Sequence, residues 1–113
     1  MDRRIQIVTS EIENRLAHPR TIQELAQLVN LSASRLRHLF KIEIGITPAQ
    51  YLKRARMQKA EMLLRTTFLS VKEIINRVGM TNGSHFVHEF KKAYGVAPTR
   101  YRSTITSSAD PLH

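Results

Sequence analysis

The sequence predicts an all-α protein of about seven helices, and three observations carry that prediction. Apolar residues recur at three- and four-residue steps in one segment after another, no stretch alternates with the two-residue period of a strand, and one order of cap, short helix, turn and longer helix is written twice along the chain. The 113 residues suit one compact domain or two small subdomains sharing a core.

A first helix is expected from Asp2 to about Ala17, with Ile5, Val8, Ile12 and Leu16 on one face and Pro19 enforcing a stop. Thr21 and Glu24 form a capping box, in which each side chain satisfies the other residue's backbone N–H, and a short helix follows to about Val29. Asn30 suits a left-handed turn, Leu31 offers an apolar plug, and Ser32 caps a helix over Ala33 to Ile44 that Gly45 ends. Thr47 and Pro48, as cap and first residue, open a longer helix that good helix formers carry to about Thr66.

The next stretch repeats the first. Ser70 and Glu73 form a second capping box, and at an offset of 49 Leu25 matches Ile74, Val29 matches Val78, Asn30 matches Gly79, Leu31 matches Met80 and Ser32 matches Thr81. After one inserted residue the offset is 50, and Leu36 matches Phe86, Phe40 matches Phe90, Lys41 matches Lys91, Gly45 matches Gly95, Pro48 matches Pro98 and Tyr51 matches Tyr101. The expected organisation is a first unit over residues 1–47, a linking helix over 48–66, a second unit over 67–102 and a disordered tail rich in Ser and Thr over 103–113.

Composition narrows the chemistry. With no Cys there are no disulfides, thiolate metal sites or cysteine nucleophiles, and a reducing, intracellular compartment is expected. No apolar run approaches a membrane span or the core of a secretory signal. Lys and Arg number 18 against 9 Asp and Glu, a formal charge of +9, and the pI of about 10.7 is that of a polyanion binder. The excess is local: residues 1–32 are neutral, 33–66 carry +6 and 67–113 carry +3.

A short helix, a three-residue turn and a longer helix is helix-turn-helix spacing. In that motif the second helix buries one stripe and lays the opposite one in the DNA major groove. The buried stripe is expected to hold Leu36, Leu39, Phe40 and Ile44 in the first copy, and Phe86, Phe90, Ala93 and Tyr94 in the second. The outward stripe holds Ser34, Arg37, His38 and Lys41 in the first, and Ser84, Val87, His88 and Lys91 in the second.

A signature densest in the second half reads Lys59-Ala60, Leu63-Leu64, Ser70-Val71, Glu73-Ile74, Val78-Gly79, Ser84, Phe86, Phe90-Lys91-Lys92, Gly95, Pro98 and Tyr101-Arg102. With these residues the chain resembles, over residues 5–102, the DNA-binding domain of AraC/XylS-type bacterial transcription regulators. The resemblance implies two helix-turn-helix subdomains joined by a long helix, recognition helices 33–44 and 83–94 entering successive major grooves of double-stranded DNA, and contact with RNA polymerase in a bacterial cytoplasm at the nucleoid. Three residues depart from the family pattern: Met80 in place of Phe and Ile75 in place of Ala, both expected to repack the core, and Gly83 near a position that often carries a polar reader.

Among the outward residues, Ser34, Arg37, His38, Ser84, Val87 and His88 are candidates for base contact. Arg37 has the shape to donate twice to guanine, and Val87 is placed either to touch a thymine methyl or, in a slightly rotated helix, to join the core. Ser32, Arg35, Lys41, Thr47, Thr81, His85, Lys91, Lys92 and Arg100 are candidates for phosphate contact, with Ser32, Thr47 and Thr81 chiefly helix caps whose helix starts also suit phosphate oxygens. Because Gly83 and Val87 offer few hydrogen bonds, the first half-site is expected to show the stronger base preference. Met57, Met62 and Met80 read as core filler.

His85 and His88 lack a third ligand for a metal, no cofactor motif is present, and no carboxylate cluster or activated nucleophile points to an enzyme. The competing reading is a basic helical adaptor that meets an acidic protein or a membrane surface. The chain alone is expected to be monomeric. Its 19-residue linking helix gives a rod of roughly 28 Å, whereas successive major grooves lie about 34 Å apart. A monomer filling both grooves is therefore expected to bend the duplex toward itself, at a cost of about 1–6 kcal/mol. A circular-permutation mobility assay is expected to report that bend; unbent DNA with a footprint confined to one groove would contradict it.

Overall fold

The computed structural model describes residues 1–109, and these form seven helices: α1 (Arg3–Asn14), α2 (Ile22–Leu28), α3 (Ala33–Ile44), α4 (Pro48–Thr66), α5 (Val71–Arg77), α6 (Gly83–Tyr94) and α7 (Pro98–Ala109). The chain divides within α4 into two compact units, Met1–Ala55 and Arg56–His113. Each unit follows one plan. An entering helix, a short helix, a longer helix and a closing helix surround a core, and α4 closes the first unit with its N-terminal half and enters the second with its C-terminal half.

In the first unit the Asp2 carboxylate accepts the Arg4 N–H and caps α1, whose buried stripe is Ile5, Val8 and Ile12. The helix stops at Asn14, short of Ala17. His18 precedes a proline and is disfavoured in helical dihedrals; the chain unwinds ahead of it, with Arg15 turning out at φ −131° and its guanidinium donating to the His18 carbonyl. Arg20 ties the next segment down, 2.7 Å from Glu11 of α1 and 3.9 Å from Glu24 of α2. The Thr21 and Glu24 box forms as read.

The turn after α2 has a specific cause. Asn30 lies at φ 57°, the Asn30 N–H donates to the Gln27 carbonyl and the Leu31 N–H to the Ala26 carbonyl, the paired bonds of a Schellman cap. The same pair recurs after α5, where Gly79 lies at φ 82° and the N–H groups of Gly79 and Met80 donate to the carbonyls of Asn76 and Ile75. Each cap leaves one apolar residue, Leu31 or Met80, against its core.

Leu25, Ala26, Val29, Leu36 and Phe40 complete the first core, and Tyr51 of α4 stands edge-on to Phe40 at 5.6 Å. The Tyr51 hydroxyl donates to a Glu13 carboxylate oxygen at 2.6 Å; burial first, and that carboxylate second, push its pKa up to about 12. The second core gathers Met57, Ala60, Leu63, Leu64, Ile74, Val78, Phe86 and Phe90, with Tyr94 tilted against Phe90 at 4.7 Å and Tyr101 edge-on to it at 5.4 Å. Arg102 of α7 donates to the carbonyls of Leu64, Thr67 and Leu69, pinning the segment that joins α4 to α5.

Three further expectations need correction. The cap of α6 is Asn82, not Thr81: its side chain accepts the His85 N–H at 3.0 Å. The inserted residue lies before the cap, so the offset of 50 that relates the longer helices already holds at Ser32 and Asn82. Ala93 is exposed instead of buried, as is Glu43 at the matching position of the first copy, so the core does not extend over this position in either unit. Residues 103–109 are helical, not an irregular tail, because α7 starts at Pro98, is anchored by Tyr101 and Arg102, and meets no breaker before it ends; residues 110–113 lie outside the described residues.

The reassigned cap is testable by urea unfolding. Asn82→Ala is expected to cost about 1 kcal/mol, and Thr81→Ala to stay within about 0.5 kcal/mol of wild type. A larger loss at Thr81 than at Asn82 would return the cap to position 81.

Candidate nucleic-acid interface

Leu36 and Phe40 on α3, and Phe86 and Phe90 on α6, are fully buried. Residues four apart lie on one face of a helix, so each pair fixes the rotation of its helix about its axis. The opposite face must then meet solvent, and it does: Ser34, Arg37, His38 and Lys41 are exposed on α3, as are Ser84, Val87, His88 and Lys91 on α6. Val87 is 36% exposed and stands outside the second core, so it does not rotate inward.

The flanking candidates fall into two groups. Arg35, His85, Lys92, Arg100 and Thr81 are exposed, with Thr81 beside α6 at the edge of its outward face. Ser32 and Thr47 are committed to capping: the Ser32 hydroxyl accepts the Arg35 N–H, and the half-buried Thr47 accepts the Gln50 N–H while its own N–H donates to the Gln50 side chain. Their hydroxyl protons remain available to an acceptor.

Charge is partitioned between scaffold and face. The ion pairs engage Arg4 with Asp2, Arg15 and Arg20 with Glu11, Arg20 with Glu24, and Arg65 with Glu61. Backbone N–H bonds from Thr21 and Ser70 hold the Glu24 and Glu73 carboxyls below the usual range, so both stay ionised at their caps. Among the described residues, no carboxylate pairs with Arg35, Arg37, Lys41, Lys91 or Lys92.

Two hollows adjoin the outward faces. One of about 460 Å³ beside α3 is lined by Ser34, Arg35 and His38 with Leu31, Leu39 and, from α1, Arg4. Arg4 was hidden in the sequence by its place in a neutral segment; only the packing of the start of α1 beside α3 brings it to this face. The other hollow, of about 900 Å³, lies between α5 and α6 and adds Lys72, Asn76 and Ile75 to the residues of the outward stripe. Ile75, expected only to repack the core, therefore has a second, outward aspect.

His85 and His88 stand on one helix, and among the described residues no group of three His, Asp or Glu side chains converges as a metal site. No described helix is long and apolar enough to cross a membrane.

The family described as "Helix-turn-helix domain" matches residues 25–104. The chain is 34% identical over 104 residues to the arabinose operon regulatory protein of Escherichia coli K12, covering 91% of this chain and 36% of that protein. It spans between 28% and 40% of the length of the first relatives it matches. An AraC-type DNA-binding-domain regulator from Chromobacterium violaceum is 26% identical, with a TM-score of 0.84 over 96% of this chain and 94% of that one. The DNA-binding domain of AdpA, solved in complex with a target DNA, shares the fold at a TM-score of 0.86 over 97% of this chain and 99% of that one, at 23% identity.

Proposed function

The chain belongs to the AraC/XylS family of helix-turn-helix DNA-binding domains of transcription regulators, and from that premise we propose that it binds double-stranded DNA sequence-specifically, with α3 and α6 in successive major grooves. The observation that carries this reading is the exposed, unpaired set of cations on the outward faces of α3 and α6, opposite the buried stripes that hold those faces outward.

The work divides by residue type. Arg35, Lys41, Lys91, Lys92 and Arg100, with His85 and the hydroxyls of Ser32, Thr47 and Thr81, grip phosphates and set the register, and the counterions they displace supply most of the affinity. Arg37 donates to a guanine edge, and Ser34, His38, Ser84, Val87 and His88 meet the bases beside it. The domain acts by binding, without catalysis, cofactor or metal. The monomer holds one asymmetric site; contact with RNA polymerase and residence at the nucleoid follow from its role in transcription.

Binding titrations on a duplex selected from a random pool test this division. Affinity is expected to fall steeply with salt. Arg37→Ala is expected to cost about 1–3 kcal/mol and to relax preference at one base pair, whereas Lys92→Ala weakens all duplexes alike and flattens the salt slope by about one unit. Salt-insensitive binding with no preference among duplexes would instead favour an adaptor for an acidic protein or a membrane surface.

A further inference from the structure

The outward face of α6 is not uniformly polar. The hollow between α5 and α6 has four apolar positions in its lining, Val71 and Ile75 from α5, Gly83 at the first position of α6, and Val87 one turn further on, and the last three run along the α6 side of it. Ser84, His88 and Lys91 line the same hollow, so the apolar strip lies among polar and cationic side chains.

Ile75 and Gly83 are one feature rather than two. A Cβ at position 83 would lie 3.9 Å from Cδ1 of Ile75, in ordinary van der Waals contact, so the isoleucine methyl already lies against the place where a side chain at 83 would begin. The first turn of α6 thus shows a methyl and bare backbone where a polar reader would stand. Val87 continues this strip, 36% exposed and outside the core, an apolar group left to water by the free protein. Such a group gains free energy when another apolar surface covers it.

In the major groove of duplex DNA the apolar group that a base edge presents is the C5-methyl of thymine. The free cations on the same helix face suit the phosphates on either side of it. We propose that Ile75, Gly83 and Val87 form a thymine-methyl reader, so that α6 specifies its half of the site through methyl contacts while α3 specifies the other half through the hydrogen bonds of Arg37. The inference rests on the proposed placement of α6 in a major groove. It also gives the gap at the first position of α6 a use: the missing side chain at 83 lets the backbone approach the bases, and the two branched side chains meet their methyls.

The test replaces each thymine of a pool-selected duplex in turn by deoxyuridine, which removes the methyl and leaves the pairing edge unchanged. At one or two thymines the loss is expected to be about 4-fold, the value of one buried methyl group. Val87→Ala is expected to bind the thymine and uracil duplexes alike at one of those positions and to retain its discrimination at the guanine read by Arg37. Val87→Thr, which keeps a branched side chain of nearly the same shape, guards against a folding defect and is expected to retain part of the thymine preference. Uracil tolerated at every position, or a thymine preference unchanged in Val87→Ala, would overturn the methyl reader while leaving DNA binding intact. Failure of the pool to yield any preferred duplex would overturn the DNA-binding reading and the methyl reader with it.

Discussion

Two pairs of buried side chains, Leu36 with Phe40 and Phe86 with Phe90, set everything that the surfaces of α3 and α6 can do. None of the four is exposed to solvent. A helix whose residues i and i+4 both sit in a close-packed core cannot turn about its axis without pulling an aromatic ring out of its cavity, and truncating such a ring costs about 3–5 kcal/mol. The identity of the outward residues therefore follows from the identity of the inward ones. The Schellman caps at Asn30 and Gly79 and the hydroxyl and amide caps at Ser32 and Asn82 fix where along the chain each of these helices begins. Rotation comes from the core and phase from the caps.

The closing helices lock these arrangements in place. Tyr51 meets Phe40 with its ring and Glu13 with its hydroxyl, so one side chain joins α4, α3 and α1. In the second unit the work is shared: Tyr101 packs on Phe90, and Arg102 takes three carbonyls of the segment leading into α5. The carboxylates serve the same end, as caps for α2 and α5 and as partners of Arg4, Arg15, Arg20 and Arg65. With these acids committed to the frame, and no carboxylate paired with Arg35, Arg37, Lys41, Lys91 or Lys92 among the described residues, those cations are left for a polyanion.

The local parts of this design were legible in the sequence because they rest on interactions within four residues. Both capping boxes, the left-handed residue at 30, the glycine stop at 45 and the ends of α4 need only the chain's own neighbourhood, and the internal repeat doubled each signal. Misreadings arose where a choice depended on one position in a gap or on packing at a distance. Thr81 and Asn82 are both good caps, and only the placement of the insertion chooses between them. Ala93 is small enough to suit core or surface, and Glu43 at the matching position held the answer. The helical character of residues 103–109 comes from anchors preceding it, to which composition is blind. Arg4 beside α3 and Ile75 against Gly83 are tertiary encounters that no periodicity encodes.

The absence of cysteine makes the central claim, that the outward faces of both α3 and α6 meet DNA, directly measurable. Single cysteines placed by His38→Cys, His88→Cys and, on the solvent side of α1, Ser10→Cys each give one thiol whose alkylation rate reports its exposure. Saturating the protein with its selected duplex is expected to slow alkylation at positions 38 and 88 together and to leave position 10 unchanged. An unchanged rate at either 38 or 88 under saturating DNA would contradict the assignment of these faces.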